Sequence, residues 1–335
     1  MLHDGGDLLS FTAEEEWGQV LGQWSTLRST PQVRRLILAG VPATMQARVW
    51  HVALVQGGRE DEASFERASA TARELRERLE WDWDGSLRKA QPQLDDLMVV
   101  TADVPRTMPD AQRQGTLDAA QLTRLLDAFI ASQAGADNGG HGGSQQSGSG
   151  YTQGMADVAA RLLKYQLPTW QVYACLHAFT RRTLLRAVMG LDHACWDALG
   201  TVYTTHLKRA HPSLAAHLEA VGMMPFFFLP EWLVALWTRS LAPDAAALAW
   251  NLLLVEGDAF FCLSCAVGVS CAIAPDLLAC DDLAECRDIC RDAPRCLSLD
   301  DFKQAALSNR ELDPALMLPL APWDEAKPAD TMFEL

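Results

Sequence analysis

One arginine and one glutamine stand in two short segments that read as loops, Asp103-Val104-Pro105-Arg106-Thr107 and Tyr151-Thr152-Gln153-Gly154-Met155. A metal-free helper of phosphoryl transfer requires that pair: positive charge against the negative charge developing on the transferred group, and a side chain that orients the attacking water. A guanidinium stays charged and presents planar, forked donors to phosphate oxygens, which a lysine ammonium does not reproduce. A glutamine accepts from the water through its carbonyl and donates through its amide, holding the nucleophile in line without being consumed. Pro105 and Pro109 bracket Arg106 and disfavour helix, so Arg106 is expected on a stiff extended loop. Gln153 is followed by Gly154 and a helix starting near Met155, which anchors its loop from behind. Taken separately the segments are ordinary: an arginine after a proline is commonly a solvated surface residue, and Tyr-x-Gln-Gly is a weak pattern.

The elements that must position these side chains are helical. Leu122, Leu125, Leu126, Phe129 and Ile130 follow the i, i+3, i+4, i+7, i+8 spacing of one buried stripe, and Met155, Val158, Ala159, Leu162 and Leu163 repeat it. Further helices are expected over Trp17–Leu27, Trp170–Arg186, Trp196–Arg209, Glu231–Ser240, Ala245–Leu254 and Leu299–Leu307. Strand-like alternation is nearly absent, so the fold class is all-α. Residues 134–150, rich in Gly, Ser, Gln and Asn, have no apolar anchor and are expected to form a flexible insertion. Residues 312–335 carry several prolines without periodicity and read as a tail.

A chain of 335 residues with 49% hydrophobic content can bury a substantial core, and its formal net charge of -15 repels phosphate backbones. Nucleic-acid binding is not expected. The first residues show neither a secretory leader nor a glycine at position 2 for myristoylation, which sets the expectation of a cytosolic protein. Ala259 to Pro275 is the nearest approach to a membrane span, but Ser264 and Ser270 interrupt it, and a buried helix fits better. Nine cysteines without a leader argue for free thiols. Cys262-x-x-Cys265 lies among apolar residues as core filling, and the cysteines at 280, 286, 290 and 296 show no compact pair or neighbouring histidine, so no metal is expected. A P-loop of the GxxxxGK[ST] kind is absent, so the chain is not itself such a nucleotide hydrolase.

In their surroundings the two segments resemble the TBC-domain family, activators of GTP hydrolysis by Rab GTPases. The second family signature is matched by Val100-Thr101-Ala102-Asp103-Val104-Pro105-Arg106 and the third, Tyr-x-Gln-Gly-Met, by Tyr151 to Met155. Gly40-Val41-Pro42, Val49-Trp50, Pro212 with Leu214, His217-Leu218, Phe228, Trp232, Trp250 and Glu256-Gly257 agree as well. The likeness runs from about Arg34 to about Ala306. It departs at three places: Gln46 stands where the family has arginine, Asn251 where it has aspartate, and the glycine-rich insertion abuts Tyr151. Arg48 is expected to face away from the Gln46 position, and a carboxylate such as Asp103 is expected within reach of residue 46, so that Gln46→Arg would be neutral or mildly stabilising.

The resemblance implies a two-lobed, V-shaped helical domain over residues 30–310, after a lead-in over 1–29 and before a tail over 311–335. It implies stimulation of a GTP-bound Rab-family GTPase in trans, with Arg106 stabilising the transition state and Gln153 positioning water. Asp103 would brace the loops, with Tyr151, Gly154 and Trp50 in support. GTP and Mg²⁺ would arrive with the partner, leaving this chain no cofactor of its own, and recruitment to intracellular membranes would run through the Rab. Two other readings stay open: a scaffold that docks a GTPase without accelerating it, and a zinc-dependent regulatory protein.

Overall fold

Thr12 and Glu15 open the first helix with a reciprocal cap, the Glu15 amide donating to Thr12 Oγ1 (3.3 Å) and the Thr12 amide to Glu15 Oε2 (2.8 Å). The computed structural model describes residues 12–55, 58–82, 85–133, 151–256, 261–308, 316–317 and 319–320. The glycine-rich insertion, the first eleven residues and nearly all of the C-terminal tail therefore lie outside the described residues.

Helix α1 (Ala13–Gly22) ends where Gln23 leaves the helical region (φ -127°, ψ 32°), and α2 (Trp24–Leu27) follows in a new direction, so the single helix expected over Trp17–Leu27 is two. Thr30 caps α3 (Pro31–Ala39), with Pro31 in its first turn where a missing N–H costs nothing. The next helices are α4 (Ala43–Leu54), α5 (Glu62–Glu80), α6 (Ser86–Ala90) and α7 (Pro92–Asp103), then α8 (Pro109–Arg113) and α9 (Ala119–Gln133). Beyond the insertion come α10 (Met155–Lys164), α11 (Thr169–Arg181), α12 (Thr183–Met189), α13 (His193–Ala210) and α14 (Pro212–Ala220). Arg182, extended at φ -75° and ψ 121°, splits the stretch expected as one helix over Trp170–Arg186. The last group is α15 (Leu229–Leu233), α16 (Pro243–Glu256), α17 (Phe261–Ala272), α18 (Ala274–Leu278), α19 (Leu283–Asp292) and α20 (Leu299–Ser308).

No strand occurs among the described residues, and the fold is all-α as expected. In the N-terminal half α9 is the hub, packing against α5, α7, α10 and α11 with Leu122, Leu125, Leu126, Phe129 and Ile130 fully buried. In the C-terminal half the hub is α17, packed against α13, α16 and α20 and buried from Phe261 through Ser270. A helix apolar on every side needs neighbours on every side, and Gly268 permits one of them: a Cβ there would lie 2.1 Å from the Ala305 carbonyl oxygen of α20. Residues 261–272 of the stretch weighed as a membrane span thus form a core helix. No helix among the described residues is long and apolar enough to cross a membrane. Helix α16 joins the halves by packing on α3 and α4.

The helix expected over Glu231–Ser240 is a correction. Helix α15 stops at Leu233, and residues 234–240 continue as turns with Leu236 (φ 45°) and Trp237 (φ 64°) in the left-handed region. Tertiary bonds outweigh helix propensity there: Trp250 Nε1 donates to the Leu236 carbonyl (2.7 Å), and the Trp237 ring stacks on Trp232 at 5.0 Å.

Candidate functional site

The arginine segment is a tight turn, not the extended loop that its prolines suggest. Asp103 (φ -81°, ψ -40°) and Val104 (φ -55°, ψ -46°) keep the helical conformation past the end of α7, and a 3₁₀ turn over Val104–Arg106 carries Arg106. Pro105 is tolerated because the first turn of a 3₁₀ segment does not need its N–H. The chain leaves through extended Thr107 and left-handed Met108 (φ 43°) into α8. Gln112 Nε2 donates to both the Val104 carbonyl (2.6 Å) and the Thr107 carbonyl (2.7 Å), and Thr107 Oγ1 donates to the Asp103 carbonyl (2.9 Å). The turn is fixed from both ends. Nothing in the sequence singled out Gln112.

Arg106 Nε donates to the Ala102 carbonyl (2.9 Å) and Nη2 to Asp103 Oδ1 (2.6 Å), while the side chain stays 64% exposed. Two of a guanidinium's five N–H groups are used within the loop, leaving three to meet an anion. Asp103 is buried, and its second oxygen, Oδ2, accepts from Tyr151 Oη (3.0 Å). Burial raises the Tyr151 phenol far above its ordinary range, and the Asp103 charge raises it further, so the hydroxyl keeps its proton to donate. One carboxylate therefore ties the arginine turn to the glutamine segment, by bonds of about 1.5–3 kcal/mol each where a charged group takes part.

Within the glutamine segment Tyr151 is buried and Gln153 exposed. Gly154 adopts φ +112°, and a Cβ on it would meet Val234 Cγ1 at 2.9 Å, so only glycine lets the segment lie on the turns after α15. The Met155 amide closes the bend on the Thr152 carbonyl at 3.0 Å. Behind it, Asp157 in the first turn of α10 pairs with Arg239 Nε at 2.6 Å. Burial pushes the Asp157 carboxyl up, opposed by Arg239. One turn deeper, buried Arg161 donates through Nη1 to the Pro243 carbonyl at 3.1 Å. The turns that replaced an expected helix thus form the shelf under Gln153. Sequence reasoning missed Asp157 and Arg239, although a carboxylate inside the Met155–Leu163 apolar stripe was a signal.

Trp50 does not join this group. It is fully buried on α4 against Tyr165 and Trp250, each 4.8 Å between ring centroids. Tyr165 follows the far end of α10, and ten helical residues span about 15 Å. Trp50 is a packing residue at the opposite end of the helix that backs Gln153.

Comparison with known proteins identifies the family and the fold. The family description Rab-GTPase-TBC domain matches residues 44–273, which include both segments. The chain belongs to that family. Human TBC1 domain family member 14 is 22% identical over 249 residues, covering 72% of this chain and 34% of that protein. TBC1 domain family member 12 of Xenopus tropicalis is 23% identical over 252 residues with the same shares, so the chain spans about a third of the length of these relatives. Among solved structures, the Chlamydomonas flagellar RabGAP TBC domain superposes with a TM-score of 0.59 at 17% identity, covering 88% of this chain and 93% of that one. The Ypt/Rab-GAP domain of Gyp1p does so with a TM-score of 0.57 at 15% identity, covering 87% and 96%. These likenesses establish the TBC fold.

The two departures from the TBC pattern on α4 and α16 meet in space. Gln46 Nε2 donates to Asn251 Oδ1 (2.5 Å), Trp50 Nε1 donates to the same oxygen (2.7 Å), and Asn251 Nδ2 returns a bond to Gln46 Oε1 (3.3 Å). The residues are 4% and 3% exposed. Where the TBC pattern has an arginine and an aspartate, this chain holds a neutral amide pair. This corrects two premises: the partner of Gln46 is Asn251 and not Asp103, and the position is buried and not partly exposed, which removes the basis on which Gln46→Arg was expected to be neutral. Arg48 is exposed, as its rotation on the helix required. A third expectation also changes. Folding brings His217 of α14 beside Cys280 and Cys286, supplying the neighbouring histidine that linear spacing did not reveal.

Proposed function

We propose that this TBC domain stimulates GTP hydrolysis by a Rab-family GTPase, with Arg106 and Gln153 entering the partner's nucleotide site together. The observation that carries the proposal is the shared Asp103 carboxylate, which joins an exposed arginine to the segment presenting an exposed glutamine. Arg106 keeps three donors for the oxygens around the γ-phosphate, where charge spreads in the transition state. The Gln153 amide holds the attacking water in line, a task of orientation that is read in kcat more than in binding. GTP and Mg²⁺ come with the GTPase, which also brings this cytoplasmic chain to a membrane. Arginine supplied in trans to GTPases accelerates hydrolysis by about 10³–10⁵.

Single-turnover hydrolysis across a panel of GTP-loaded Rab proteins tests this. Stimulation is expected for at least one Rab, and it is expected to persist when that Rab's own switch glutamine is changed to alanine, because Gln153 replaces it. Gln153→Ala is expected to lose most activity on the unaltered Rab. Full activity of Gln153→Ala, with none of the unmutated chain on the altered Rab, leaves Arg106 acting alone. Binding without acceleration on every Rab makes the chain a scaffold.

A further inference from the structure

Two helices of the C-terminal half and the link before the second of them converge on a cluster apart from the Arg106 and Gln153 segments. A ring nitrogen of His217 on α14, Cys280 Sγ in the link between α18 and α19, and Cys286 Sγ on α19 all lie within 4.8 Å of one another. Both cysteines are buried, and the two sulfurs approach to 2.8 Å. His217 Nε2 is buried and makes no hydrogen bond to any described residue. An orphaned buried imidazole nitrogen is costly and calls for an explanation. The Cys280 thiol also contacts the Leu277 carbonyl at 3.2 Å, a bond that would be released on deprotonation. Cys290, buried one turn along α19 from Cys286, adds a further thiol at the edge of the cluster.

We propose that Cys280, Cys286 and His217 bind a zinc ion that fastens α14 to the α18–α19 link. Two thiolates and a neutral imidazole are three soft donors of the zinc type, a water takes the fourth tetrahedral position, and the two thiolate charges cancel the dication, so the site carries no net charge. Tetrahedral zinc at about 2.3 Å from each sulfur holds them about 3.8 Å apart, so the thiols must part by about 1 Å. The four-residue link Ala279–Asp282, which carries Cys280, is where that movement falls. Metal entry releases the thiol protons to solvent and gives the His217 nitrogen its partner. The ion would also stiffen the packing beneath Trp232, whose Nε1 donates to the Cys290 carbonyl at 3.0 Å.

The test uses the full chain, purified under reducing conditions, stripped with a chelator and titrated with Co²⁺ and then Zn²⁺. One Co²⁺ per chain is expected, with the d–d bands of a tetrahedral site and a thiolate-to-metal charge-transfer band, both abolished by one Zn²⁺. Cys280→Ser and His217→Ala, each checked for retained helicity, should weaken Co²⁺ binding by more than about 100-fold, beyond the 10–100-fold cost of losing an outer partner. Cys296→Ser, at an exposed thiol, should leave binding unchanged. Cobalt binding without the charge-transfer band, undiminished binding by Cys280→Ser, or recovery of a Cys280–Cys286 disulfide from a chain that takes up no metal would each overturn the proposal.

Discussion

The amide pair between α4 and α16 gives the sharpest test of how this domain is held together. Gln46→Arg places a guanidinium where the facing group is a neutral amide, in a site with almost no solvent access. A buried ion left without its counter-charge costs about 3–5 kcal/mol. At about 2.1 cal/mol/K of unfolding entropy per residue, a domain of about 300 residues loses roughly 1.5 °C per kcal/mol, so the melting temperature should fall by roughly 5–8 °C. Asn251→Asp should cost less, about 1–3 kcal/mol, because the new carboxylate inherits two donors, Trp50 Nε1 and Gln46 Nε2. Combined, the substitutions create a forked ion pair, and the double variant should return to within about 2 kcal/mol of the parent, a coupling of roughly 2–6 kcal/mol. Urea unfolding of the four proteins measures the cycle. A Gln46→Arg variant within about 0.5 kcal/mol of the parent, or strictly additive losses, would show that the pair is not the interaction deciding these two positions.

The finger loops give further expectations. Arg106→Ala should nearly abolish stimulation with the fold retained and only a modest fall in melting temperature from the lost Asp103 bond, and Arg106→Lys should fail almost as badly in the same hydrolysis assay, since an ammonium cannot fork across two oxygens. Asp103→Asn should lower kcat while leaving both finger residues in place, because it removes the charge that both Arg106 and Tyr151 bond to; an unchanged rate would mean the two segments hold their places without it. Gly154→Ala should cost about 1–3 kcal/mol in backbone strain, with the Val234 contact added, and should reduce stimulation in step; denaturation and hydrolysis read the two losses. His177 titrates at about 4, lowered mainly by burial, with Glu60 opposing and Arg181 assisting. A depressed folded value means its stabilising contribution is complete above pH 6.5 and is lost as pH falls toward 4, so melting temperatures should drop across that window and His177→Phe should flatten the drop.

The long apolar stripes were readable as helices: Leu122–Ile130 and Met155–Leu163 became α9 and α10 with every stripe residue buried, but the residues between them are buried as well from 125 to 131 and from 155 to 163, so both helices are enclosed on more than the one face that their period showed. The segment after Leu233 was misread because its helix-compatible residues are held in turns by partners elsewhere, Trp250 bonding to Leu236 and Gly154 pressing on Val234. Arg106 and Gln153 were visible as a motif with Asp103 beside them, and the fold adds that Asp103 accepts from both Arg106 and Tyr151. The turn under Arg106 was not visible, because prolines that forbid a helix interior are admitted in a first turn. The Gln46–Asn251 and His217–Cys280–Cys286 groupings were invisible for a different reason: their members are far apart in the chain and meet only through helix packing.

The neutral pair at Gln46 and Asn251 also constrains the order in which it can arise by single steps from an arginine and an aspartate. Losing the aspartate first strands a guanidinium inside the domain, and a guanidinium has no accessible neutral form with which to escape the cost. Losing the arginine first strands a carboxylate, which can take up a proton and which Trp50 already supplies with a donor. The passable route goes through glutamine at position 46 before asparagine at position 251, and the return route reverses it. An acidic group that can discharge itself makes the valley between two charge states shallow on one side only, so the order of substitution at a position remote from Arg106 and Gln153 is set by which side chain can shed its charge.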